Sequence, residues 1–99
     1  MSLSTQQLRY LRGLTHHLQP VVTIADKGLS ENVLAEIDAA LLKHELIKVK
    51  LRAERALREN WISELMHRSG AVKVQVIGQV ACFYKRNSKK PVVQVPGLT

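Results

Sequence analysis

Aromatic residues are scarce in this sequence of 99 residues: Tyr10, Trp61, Phe83 and Tyr84 are all of them. Phe83 and Tyr84 are adjacent, so on a strand they face opposite sides, and at most one could join a sheet platform on which bases stack. Cysteine is rarer still. Cys82 has no internal disulfide partner, and its setting in Val80-Ala81-Cys82-Phe83-Tyr84 is that of a buried, inert thiol. Long apolar runs are missing. The longest stretch free of Lys, Arg, Asp and Glu, Gly13 to Ala25, contains His16, His17, Gln19 and Pro20 and falls short of the roughly 20 apolar residues of a spanning helix. The opening Met1-Ser2-Leu3-Ser4-Thr5-Gln6-Gln7 lacks the basic region, apolar run and cleavage site of a secretory signal. A cytoplasmic protein with no membrane partner is expected.

Catalytic patterns are absent as well. His16 and His17 are neighbours that diverge on a helix, and His44-Glu45 lacks the second histidine of HExxH, so no metal or other cofactor is expected. There is no GxSxG elbow and no P-loop. The carboxylates fall mostly on helical polar faces. An enzyme is not expected.

What the sequence has is positive charge. Fifteen Lys and Arg against eight Asp and Glu give +7, a balance that favours a polyanionic partner. The excess is clustered: residues 25–47 hold two cations against five acids, whereas 48–58 hold five cations against one, and 85–90 hold four cations and no acid. With 45% apolar and 23% charged residues the chain is ordinary globular material for one core.

The elements follow from capping and periodicity. Ser4 and Gln7 form a capping box ahead of Leu8, Leu11, Leu14 and Leu18, predicting a helix over about Thr5–His16. Val21–Ile24 is a short β-branched strand ended by the turn-like Asp26-Lys27-Gly28. Ser30 caps a second helix, about Glu31–His44, whose stripe is Val33, Leu34, Ile37, Ala40 and Leu41. Leu46–Arg52 alternates, sending Ile47, Val49 and Leu51 to one face and Lys48, Lys50 and Arg52 to the other. Leu57, Trp61, Ile62, Leu65 and Met66 make a third amphipathic helix, with Trp61 in the core and Gly70 as its stop. Val72, Val74 and Val76 alternate with Lys73 and Gln75, and Gly78-Gln79 turns that strand into Val80–Lys85. The order α-β-α-β-α-β-β predicts a single α/β domain with a four-stranded mixed sheet and a parallel crossover between the first two strands. Residues 1–86 are the expected domain. Residues 87–99 read as a loose basic tail in which Val92–Val95 could pair on a sheet edge.

Three features point to nucleic acid. Lys48, Lys50 and Arg52 form a cationic strand face that Arg55 and Arg58 extend; Lys85, Arg86, Lys89 and Lys90 form a second block; and the turn Ala25-Asp26-Lys27-Gly28 leads into a helix N-terminus that can meet a phosphate. With so few aromatics, shape and backbone recognition is expected over base stacking. Two other classes remain open on these residues: a protein–protein adaptor docking through Glu31, Glu36 and Asp38, and a non-specific DNA binder.

Gly28-Leu29, the run His44-Glu45-Leu46-Ile47-Lys48-Val49-Lys50, and Gly70-Ala71 through Val74-Gln75-Val76-Ile77-Gly78 resemble the bacterial YhbY proteins, the stand-alone form of the CRM domain, over about residues 3–86. The resemblance implies a fold similar to the C-terminal domain of translation initiation factor three. It further implies RNA binding, association with precursors of the large ribosomal subunit and a role in ribosome assembly; plant relatives act in organellar intron splicing. The family's GxxG loop, likened to the backbone-clamping loop of KH domains, falls on Ala25-Asp26-Lys27-Gly28. Ala25 replaces its first glycine and fits without strain only if φ there is negative. A monomer contacting structured ribosomal RNA through this loop and the two basic blocks is the expectation.

Overall fold

In a computed structural model, which describes residues 2–98, the chain forms α1 (Thr5–Thr15), β1 (Pro20–Ile24), α2 (Glu31–His44), β2 (Leu46–Leu51), α3 (Arg55–Ser69), β3 (Val72–Ile77) and β4 (Val80–Tyr84). The strands make one sheet in the order β1-β2-β4-β3, with β1 parallel to β2 and the other neighbours antiparallel. The mixed four-stranded sheet and the element order are those expected.

Local signals set the helix ends. Ser4 Oγ accepts from Gln7 N–H at 3.1 Å while Gln7 Oε1 accepts from Ser4 N–H at 2.8 Å, a reciprocal capping box. Ser30 Oγ accepts from Val33 N–H, and Gly70, at φ 79°, ends α3 with its N–H donated to Met66 O. The α3 N-terminus is capped by Glu54, whose carboxylate accepts from Ala56 and Leu57 N–H at 2.9 and 2.7 Å. Gly78, at φ 57°, takes the first central position of the β3–β4 hairpin.

The sheet has a core on each face. Under α2 and α3 lie Val22, Ile24, Ile37, Leu41, Ile47, Val49, Leu51, Trp61, Ile62, Leu65 and Phe83. The opposite face carries Leu46, Cys82 and Tyr84, covered by Leu11 of α1 and by Val95 from the C-terminal segment. Phe83 and Tyr84 do point to opposite cores, Trp61 is core, and Cys82 is buried.

Three details differ from the expectations. A bulge between Lys73 and Gln75 reverses the alternation of β3: Val74 stays in the α1-side core, while Val76 pairs with Ala81 on the other face and is 42% exposed. Leu57 is 41% exposed, because it lies one turn ahead of Trp61, which already packs beneath Gly28 at the end of the sheet. The C-terminal segment is docked. Val95 is buried, Val93 and Leu98 pack beside it, and Gln7 Nε2 donates to Pro96 O at 2.8 Å. Val92–Val95 form no strand. Their anchor is Glu45, fully buried at φ 62°, whose carboxylate accepts from the N–H groups of Asn87, Val92 and Val93, each at 2.6 Å. Burying an unpaired carboxylate is costly, and three N–H donors offset the lost water; the segment is held by that demand and by the apolar surface it covers.

Candidate nucleic-acid interface

β1 and β2 run side by side and end together at Ile24 and Leu51. Everything that follows those ends therefore gathers at one end of the sheet: the turn 25–28 after β1, Arg52 after β2, the start of α3, and the β3–β4 hairpin, whose Gln79 O accepts from Leu51 N–H at 2.7 Å. Arg52 is exposed, with its N–H donated to Ile24 O at 2.8 Å, so it stands directly beside the turn.

The turn is closed by Gly28 N–H donating to Ala25 O at 2.7 Å. The left-handed conformation falls on Gly28, at φ 64°, and Glu45 is the non-glycine residue with positive φ among the described residues. Ala25, which is not among the residues with positive φ, carries no left-handed backbone strain. A Cβ on Gly28 would lie 3.5 Å from Trp61 Nε1, so the indole floors the turn. Asp26 and Lys27 are exposed at the tip, and among the described residues no acceptor takes their N–H groups.

Lys48 and Lys50 are half-buried on the α1 side of the sheet, since they pair with Cys82 and Val80 on β4. Lys50 also pairs with Thr23, two residues before Ala25, which puts it next to the turn. Lys48 lies one step further down, lining an open depression of about 470 Å³ with His16, Gln75, Ile77 and Val80. Arg55 and Arg58 stand on the other side of the same end. Arg55 is exposed and paired with Glu59 at 3.1 Å, and Arg58 donates to Ala53 O at 2.7 Å. Both line a groove of about 620 Å³ between α3 and β3 that Lys73 also enters. Lys73 faces the groove because it alternates with Val72 and Val74, which turn to the α1-side core, and its pairing with Phe83 sets it toward the far end of the groove from the turn.

Lys85 and Arg86 are elsewhere. β4 runs antiparallel to β2, so it ends where β2 starts, at the opposite end of the sheet. Lys85 there has an internal partner: its Nζ donates to Ser69 O at 2.7 Å, capping α3. The structure brings Ala25, Asp26, Lys27, Gly28, Lys50, Arg52, Arg55 and Arg58 together, sets Lys48 beside them, and keeps Lys85 and Arg86 apart. Of the acidic residues on α2, Glu31 is engaged by Arg68 at 2.8 Å, leaving Glu36 and Asp38 exposed and, among the described residues, without an ion-pair partner. Among the described residues no three His, Cys, Asp or Glu side chains cluster as metal ligands, and no helix is long and apolar enough to cross a membrane.

The chain is 45% identical over 96 residues to an RNA-binding protein of Haemophilus influenzae, covering 96% of each chain. It is 46% identical over 90 residues to a protein of Pseudomonas aeruginosa named as a probable RNA-binding protein, covering 90% of this chain and 86% of that one. The solution structure of a hypothetical protein from Staphylococcus aureus, described as a candidate RNA-binding protein, superposes with a TM-score of 0.81 at 30% identity, covering 96% of this chain and all of that one. The CRS1 / YhbY (CRM) domain profile matches residues 3–85, and the chain belongs to that family.

Proposed function

We propose that this protein binds structured ribosomal RNA in precursors of the large ribosomal subunit and assists their assembly, acting as a monomer in the cytoplasm. The observation that carries this reading is the convergence of Lys27, Lys50, Arg52, Arg55 and Arg58 around a turn whose Asp26 and Lys27 N–H groups meet no acceptor among the described residues. Such a surface suits phosphate backbones of folded RNA, because cations and N–H groups meet phosphates without reading base edges. The relatives named as RNA-binding proteins support the same class of ligand.

The test is a sucrose gradient of lysate from growing cells containing tagged protein, run at low and at raised salt. The expected result is co-migration with precursors of the large subunit at low salt and release at high salt. Protein that stays at the top of the low-salt gradient defeats stable docking on such particles.

A further inference from the structure

The opposite end of the sheet has cations of its own. Lys43 in the last turn of α2, Arg86 just past β4, and Lys89 and Lys90 in the segment that follows all lie where β2 starts and β4 ends. Lys43, Lys89 and Lys90 are exposed and share one open depression with Leu42 and Asn87. Among the described residues none of these four cations is in an ion pair. The six residues of β2 alone separate the two ends by about 17 Å, in a molecule 38 Å long, and exposed charges are screened over roughly 8 to 10 Å at ordinary ionic strength. The two clusters therefore act as separate binding surfaces. Between them α2 presents Glu36 and Asp38, which repel a phosphate strand laid along that side.

The loop at this second end is built in advance. Glu45 fixes Asn87, Val92 and Val93 by their N–H groups, and Asn87 Oδ1 accepts from the N–H groups of both Lys89 and Lys90 at 3.2 Å while its Nδ2 donates to Leu42 O. A buried carboxylate on a left-handed non-glycine backbone persists only where its surroundings over-determine it, and what it organises here is the stretch that carries Lys89 and Lys90. A loop ordered before binding loses little conformational freedom on contact with a ligand.

We infer that the protein holds two RNA segments at once, one at each end, so that it draws together parts of an RNA that do not pair with each other. This rests on the RNA-binding reading given above and extends it from one surface to two. The test uses the full chain, two short RNA hairpins labelled with a fluorescence donor and an acceptor, and the double variant Lys89→Glu/Lys90→Glu, whose fold is checked by circular dichroism. The wild type is expected to bind two hairpins per protein at low salt and to produce energy transfer between them that falls away when protein is in excess. The double variant is expected to bind one hairpin and to give no transfer. Bridging is overturned if the wild type binds a single hairpin without transfer, while the RNA-binding reading survives. It is overturned equally if transfer persists in the variant, since a protein dimer or a second hairpin held elsewhere than at Lys89 and Lys90 then accounts for it. Failure of the wild type to bind any hairpin overturns both readings.

Discussion

At the scale of single residues, the turn and the buried carboxylate do opposite jobs. Lys27 stands exposed at a tip whose amides are unengaged, so its contribution falls on ligand affinity. Lys27→Ala is expected to leave the thermal midpoint unchanged and to weaken binding of structured RNA several-fold at low salt, as measured by filter binding; unchanged affinity would remove the residue from the interface. Glu45 contributes to stability. Its carboxylate is all acceptor, with one oxygen taking the N–H groups of Val92 and Val93 and the other taking that of Asn87. Glu45→Gln sets an NH₂ group against at least one of these donors, and urea unfolding should show a loss of about 1 to 3 kcal/mol. Neither role was equally legible beforehand. Lys27 is legible as a charge between a strand and a helix cap, whereas the role of Glu45 is not, because nothing local records that its three donors come from more than forty residues away.

Among the elements, β4 is the most deeply enclosed strand, and it carries two groups that resist ionisation. Burial pushes the Cys82 thiol up, with the Lys48 charge opposing. Burial likewise pushes the Tyr84 phenol up, reinforced by the nearby Glu45 charge. Both acids therefore keep their protons in the folded protein at pH values where the unfolded chain has released them, so the stability they confer is intact below their ordinary values of 9.0 and 10.0 and is lost as pH rises through and beyond them. The urea midpoint should hold steady from about pH 7 to 8.5 and decline above that range; a midpoint that stays flat to pH 11 would contradict the burial of both groups. The elements themselves were largely readable, since capping serine, helix-ending glycine and alternating valine are local signals that the tertiary structure does not override. β3 resisted where its bulge turned Val76 to the other face, and α3 resisted at Leu57, where a good apolar period runs past the end of the core it serves. The segment after Arg86 resisted most. Its composition is that of a free tail, and only the second core and Glu45 give it a place.

For the whole molecule, charge placement decides the behaviour with RNA. About four phosphates engaged at the turn end imply that the affinity for one short RNA falls with salt at a log-log slope of about −3 to −4. A titration series in monovalent salt gives that slope directly, and a value near zero would refute the electrostatic account. The sequence revealed both basic blocks but not that they lie at opposite ends, a matter of strand direction that only the antiparallel pairing of β2 and β4 settles. One more property follows from the docking of the C-terminal segment on α1. Their contact joins Gln7 to Pro96, 89 positions apart, whereas the parallel unit from β1 to β2 closes within a short span. Non-local closure comes late, so the contact between α1 and the C-terminal segment is the last part of this protein to form. Amide hydrogen exchange should accordingly be faster at Val92 and Val93, whose N–H groups are held by Glu45 alone, than at Val49 within the sheet.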